Sequence, residues 1–150
     1  EKGLGTDSLT LDIGYDREDC DSGTYHGNIH IDRYGRRLPK SAHGSIPLEP
    51  MTNLSSQLVH AAGKLFDRIA GPELLVRRIT ITANRVTEDA GVYQLSLFTN
   101  TRKLEAEKRL QSALVGIKRK YGKNAVLKGV NFLDGATMRE RNGQIGGHRA

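Results

Sequence analysis

From Ser8 to Tyr15 the chain alternates strictly, with Leu9, Leu11, Ile13 and Tyr15 on one side and Ser8, Thr10, Asp12 and Gly14 on the other. A period of two marks a strand with one face buried and the other wet, and a slip of one residue would invert the two faces. Such a strand needs neighbours for its edges and a cover for its apolar side, and the sequence that follows offers both. In Ala42-His43-Gly44-Ser45-Ile46-Pro47-Leu48, the residues Ala42, Gly44, Ile46 and Leu48 share a face opposite His43 and Ser45. Pro47 restricts this second strand to an edge or ends its pairing. Thr52-Asn53 is an N-cap signal, and Leu58, Ala62, Leu65 and Ile69 then recur at helical spacing, with Val59 and Phe66 widening the stripe. Gly71-Pro72 stops that helix. Leu74 to Val86 reads as the strongest strand, with Leu75, Ile79 and Ile81 alternating with Arg78, Thr80, Thr82 and Asn84. These pieces predict an α+β fold in which an antiparallel sheet carries a helix on one face.

The polar side of the last strand holds donors and no acids, as does the basic turn from Arg33 to Lys40. Charge is also uneven along the chain. Residues 1–100 carry 11 Lys/Arg against 13 Asp/Glu, a net of −2, whereas residues 101–150 carry 12 against 4, a net of +8. A basic excess confined to one end suggests a polyanionic partner, most often nucleic acid. A solvated basic helix would show the same charge count.

The remaining stretches carry less chemistry. Residues 16–25 form an acidic turn whose spacing lacks the glycine and glutamate of a calcium loop. His26 and His30 stand four apart, but Gly27-Asn28-Ile29 favours extended structure, which would separate them by about 13 Å. No metal site is expected. The single cysteine, Cys20, excludes an internal disulfide and fits a reducing cytoplasm. No apolar run spans a bilayer, so no membrane partner is expected. Arg102 to Tyr121 reads as a helix with a narrow stripe of Leu110, Leu114, Ile117 and Tyr121, closed by Gly122. Lys118-Arg119-Lys120 complements that helix's C-terminal dipole without requiring DNA. Ala125 to Leu133 could form a short strand. The Gly-rich, basic end from Arg139 onward has a composition that cannot support a core, which predicts a flexible tail.

Between the last strand and the basic helix, after the linker Thr87-Glu88-Asp89-Ala90-Gly91, lies Gln94-Leu95-Ser96-Leu97-Phe98. Its pattern alone favours a short strand. Its chemistry is also that of a linear docking peptide, in which large apolar side chains seat in a partner's pockets while the backbone pairs with it. The position after a polar linker favours the docking peptide.

Taken in order, LTLDIGYD, DRYGRRLPKSAHGS, SSQLVHAAGKLFDRI, LLVRRITITANRV, QLSLF, ALVGIKRKYGKNAVLKG and GATMRERNGQIGGHRA resemble the C-terminal part of UmuC-type Y-family translesion DNA polymerases. The resemblance spans nearly the whole chain and is most specific in QLSLF and the GAT…ERNGQIGGHRA ending. It implies three segments: a little-finger-like DNA-binding domain over 1–87, a linker with a clamp-binding peptide over 88–100, and a basic helical extension over 101–150. The little finger is a βαββαβ fold that lays its sheet on duplex DNA. Its first strand and nearly all of its first helix have no counterpart here, so an apolar face should stay uncovered unless a second copy of the chain covers it. The palm, fingers and thumb, with the carboxylates that hold Mg²⁺, also have no counterpart. No cofactor and no polymerisation are therefore expected of this chain alone.

The DNA candidates are Arg36, Arg37, Lys40, Ser41, His43 and Ser45 on the turn, and Arg77, Arg78, Thr80 and Thr82 on the strand. Such side chains bind phosphates without reading bases, which suits primer-template DNA of any sequence. Alternation should turn Arg77 away from Arg78. For the bacterial sliding clamp, the resemblance seats Gln94 in a polar subsite and Leu97 and Phe98 in a hydrophobic cleft, with Leu95 and Ser96 completing the peptide. The expected role is DNA and clamp binding for an error-prone translesion polymerase in SOS-type damage tolerance. The competing reading is a stand-alone basic RNA- or DNA-binding α+β protein in which Gln94–Phe98 is a paired strand. Native proteolysis within 88–100 separates the two, because a tether is cut and a paired strand is not.

Overall fold

The computed structural model describes residues 3–88, 101–145 and 148–149. These fall into two compact units, one up to Phe98 and the other from Thr99 onward. The first is an α+β domain. The strict alternation becomes the long strand β1 (Leu4–Tyr15), followed by a single helical turn, α1 (Glu18–Asp21), and a small hairpin of β2 (Ile29–Ile31) and β3 (Arg37–Pro39). The chain returns through β4 (Ala42–Thr52), helix α2 (Ser55–Ile69), β5 (Val76–Asn84) and the two-residue β6 (Thr87–Glu88). In the sheet, β1 lies between β4 and β5 and pairs antiparallel with both, and β6 pairs with the start of β1.

Register fixes which side chains share a face. Leu9, Leu11 and Ile13 stand opposite Ile46, Gly44 and Ala42 of β4, and opposite Ala83, Ile81 and Ile79 of β5. Helix α2 packs on this apolar face and buries Leu65 completely against Leu11, Ile13 and Tyr15. A neighbouring cluster joins Leu9, Leu48 and Ala61. Tyr15 also ties the end of the helix to the strand, because its hydroxyl accepts the Gly71 N–H at 2.8 Å. Gly44 lets β4 approach α2 closely: a Cβ there would stand 3.1 Å from Ile69 Cγ2 and 3.2 Å from Leu65 Cδ1.

The helix covers β4 and β1 but not β5. Ile79 and Ile81 therefore remain 50% and 56% exposed although they share the core's face. The helical stripe is also rotated from the one expected. Val59 is exposed, and Ala61 takes a place in the core. The N-cap signal at Thr52-Asn53 acts earlier than a cap would: Leu54 precedes the first helical residue, and its N–H donates to Thr52 Oγ1 at 3.1 Å.

The second unit is built on α3 (Thr101–Tyr121), which buries none of its residues. Gly122 N–H donates to Lys118 O at 2.9 Å and closes the helix. Where the sequence suggested a strand over Ala125–Leu133, the chain makes a 3-10 turn, Gly129–Phe132. A strand needs a partner for its backbone groups, and among the described residues none lies beside this segment. The Gly-rich end, expected to lack regular structure, holds a short helix, α4 (Met138–Asn142), and the two-residue pair β7 (Gln144–Ile145) and β8 (His148–Arg149). Helix α4 buries none of its residues.

Candidate nucleic-acid interface

The face of the sheet away from α2 is a polar surface made by three strands. Its rows follow from the register. Ser45, Thr10 and Thr82 lie side by side across β4, β1 and β5, as do His43, Asp12 and Thr80. Arg78 stands opposite Gly14. The first row is bonded across the strands, with Thr10 Oγ1 2.9 Å from Ser45 Oγ and accepting Asn84 Nδ2 at 2.8 Å. At the same turn of β4, Arg68 Nη2 donates to Ser45 O at 2.7 Å. In the second row, His43 Nδ1 stands 2.6 Å from Asp12 Oδ1.

The structure therefore brings together five of the sequence candidates: His43, Ser45, Arg78, Thr80 and Thr82. All five are exposed. It adds Thr10, Asp12 and Asn84, which sequence reasoning did not enlist. The signal was present in the polar half of the Ser8–Tyr15 alternation, but only the pairing shows that this half lies between the other two polar faces. Asp12 also corrects the acid-free picture, because a carboxylate sits in the middle of the surface.

The other candidates lie elsewhere. Arg77 precedes Arg78, and alternation turns it away; its guanidinium stands 3.7 Å from the Asp16 carboxylate. Lys40 and Ser41 are exposed in the link between β3 and β4. Arg37 opens β3 and Arg36 closes the turn of the β2–β3 hairpin. Arg36 is held by Asp32, with Nε 2.8 Å and Nη2 2.7 Å from Oδ2. The side-chain hydrogen bond from Arg36 holds the Asp32 carboxyl at about 2, below its ordinary 3.8. The docking peptide Gln94–Phe98 lies outside the described residues.

A surface of hydroxyls and the Arg78 guanidinium spread over three strands can accept a phosphate backbone, since such groups donate to phosphate oxygens without discriminating bases. Among the described residues no group of three or more His, Cys, Asp or Glu is placed to hold a metal ion, and no helix is long and apolar enough to cross a membrane.

No family model matches the chain, and no solved structure matches it significantly. Two curated proteins do. Over 145 residues the chain is 28% identical to UvrX of Bacillus subtilis (strain 168), a protein named for UV-damage repair; the match covers 95% of this chain and 29% of UvrX. Over 120 residues it is 30% identical to DNA polymerase IV 2 of Halalkalibacterium halodurans, covering 80% of this chain and 28% of that polymerase. The chain thus spans less than a third of the length of either relative.

Proposed function

We propose that this chain, which is related over most of its length to UmuC-type Y-family DNA polymerases, is a DNA-gripping and clamp-docking portion of a translesion polymerase that works in DNA repair. The observation that carries the reading is the polar three-strand face, with Ser45, Thr10 and Thr82 in one row, His43 and Thr80 flanking Asp12 in the next, and Arg78 beside them. Its donors suit the backbone of duplex primer-template DNA and ignore its sequence. The names of the two relatives, one for UV-damage repair and one for a DNA polymerase, support the same setting. Under this reading Gln94–Phe98 docks on the sliding clamp, and the protein acts in the cytoplasm as part of an SOS-type response.

The test is duplex affinity as a function of salt. Each phosphate neutralised contributes roughly 0.9 to the log–log slope. Arg78→Ala should weaken binding to every sequence alike and reduce the slope by about one unit. An affinity that does not fall between low and moderate salt removes the DNA reading.

The half-exposed Ile79 and Ile81 on β5 favour one further element of the same proposal. A second copy of the chain, seated on that strip, would cover it in a homodimer. Sedimentation equilibrium decides this, and a monomer at all concentrations rejects it.

A further inference from the structure

The hairpin between β2 and β3 ends in a tip that the sheet reading leaves unused. Its turn is Asp32-Arg33-Tyr34-Gly35-Arg36, and Tyr34 is 66% exposed at its apex. The turn is closed by backbone bonds in both directions, Asp32 N–H to Arg36 O and Gly35 N–H to Asp32 O, each 3.0 Å. Gly35 takes φ +74, a conformation that other residues adopt at a cost. The Asp32 carboxylate braces the turn from inside, with Oδ1 accepting the N–H of Tyr34 at 2.8 Å and of Arg36 at 3.0 Å. Its Oδ2 fixes the Arg36 guanidinium. Two cations then stand against the Tyr34 ring, Arg33 Cζ at 4.8 Å and Arg36 Cζ at 5.0 Å from its centroid.

The tip is thus an aromatic ring held out in water, not packed into a core. Burial does not account for it, because two-thirds of the tyrosine is exposed. Turn formation does not account for it either, because Asp32 and Gly35 supply the turn and any residue could occupy position 34. Asp32, the acid within the tip, is consumed by Arg36. Arg33 and Arg37 have no ion-pair partner among the described residues. A flat π-face beside one unpaired guanidinium, that of Arg33, matches one ligand chemistry, an unpaired nucleobase with its adjoining phosphate. The base stacks on the ring and the cation takes the phosphate. An uninterrupted duplex keeps its bases inside and offers such a ring nothing.

We propose that the hairpin tip of Arg33, Tyr34 and Arg36 is a binding site for single-stranded nucleic acid that stacks an unpaired base on Tyr34. Arg36 is held in place by Asp32, and Arg33, without such a lock, is the cation free to give way to the base. The site is separate from the duplex-gripping sheet face, so either can fail without the other.

The chain contains no tryptophan, so Tyr34→Trp installs a single fluorescent reporter at the tip of the full chain. Titration with a dT oligonucleotide and with a U oligonucleotide should quench it saturably, and quenching by either supports the site; the stronger of the two distinguishes DNA from RNA as the source of the base. Tyr34→Ala should lose roughly 5- to 100-fold in affinity for the same oligonucleotides. Tyr34→Phe should keep it, and duplex affinity should be unchanged in both variants. Unchanged oligonucleotide affinity in Tyr34→Ala overturns the proposal, as does a reporter that does not respond. Equal quenching by a poly-glutamate peptide also overturns it, by reassigning the tip to acidic peptides. Loss of duplex binding with the Tyr34 response intact would reject the sheet reading alone.

Discussion

Asp12 and His43 face each other at 2.6 Å in the middle of the exposed side of the sheet, the one row of that surface in which a carboxylate separates two donors. A phosphate laid across this face meets Thr80 and His43 favourably and Asp12 unfavourably. In the proposed contact with DNA, Asp12 is therefore the opposing group of this row, and its hydrogen bond with His43 occupies one of its oxygens.

Removing that charge should tighten duplex binding. Asp12→Asn keeps a hydrogen-bonding side chain opposite His43 and deletes one negative charge near the phosphates. At the surface such a charge is worth about 0.5–1 kcal/mol, or roughly two- to fivefold in affinity. Fluorescence anisotropy at fixed salt reads the change, and the gain should shrink as salt rises. Weaker binding by the variant would mean that the polar face is not where duplex DNA lies.

Asp32 gives a prediction in pH. Its carboxyl sits at about 2 in the folded chain, against an ordinary 3.8, chiefly because of the side-chain hydrogen bond from Arg36. A carboxyl whose folded value lies below its unfolded value stabilises the fold above the unfolded value, and that contribution is lost as pH falls through the folded one. The brace of the hairpin tip should therefore be intact at neutral pH, weaken below about 4 and be gone below about 2. Carbon-detected NMR of the Asp32 carboxyl should show the low midpoint, and Arg36→Gln should move it up toward the ordinary range. A wild-type midpoint near 3.8 would contradict the brace.

The clamp peptide is read from sequence and gives the most local test. In the proposed docking, Leu97 and Phe98 would be the large apolar anchors, and anchors of this type carry most of a peptide's binding energy. Leu97→Ala with Phe98→Ala should cost roughly 30-fold or more in affinity for a bacterial sliding clamp. Duplex affinity should not change. A pulldown that survives the double substitution removes the docking claim and leaves the DNA claim standing.

Periodicity made the core legible. Leu9, Leu11, Ile13 and Tyr15 are all buried as their alternation requires, and Leu65 sits under them as the helical stripe requires. What periodicity does not carry is the identity of the neighbour across a strand. Asp12 read as one more wet residue, and only its register shows a carboxylate lying between His43 and Thr80, two of the phosphate-binding candidates. Val59 looked like part of the stripe because spacing alone does not tell how far α2 extends over the sheet. The helix stops at β1, so the edge of its stripe is exposed. Ala125–Leu133 had a strand's composition without a strand's partner. Tyr34 was invisible for a different reason: an aromatic in a basic turn looks like any loop residue until the Asp32 hydrogen bonds and the two flanking guanidinium groups are seen around it.

The contact of Gly44 with Leu65 couples two substitutions. A methyl at position 44 would stand 3.2 Å from Leu65 Cδ1 and 3.1 Å from Ile69 Cγ2, and Leu65 is fully buried with nowhere to shift. Overpacking of this kind costs roughly 1–3 kcal/mol. It exceeds the roughly 0.4–1 kcal/mol that an alanine gains over glycine through the unfolded chain. Leu65→Ala should cost about 2–5 kcal/mol by leaving a cavity at the same place. In that background the contact with Leu65 is gone and Ile69, the other close neighbour, gains a void to shift into, so Gly44→Ala should cost less than in the wild type or become neutral. Urea unfolding of the two single variants and the double variant measures the coupling, which for side chains in contact should be at least about 1 kcal/mol. Additive effects would show that β4 and α2 do not approach each other through Gly44.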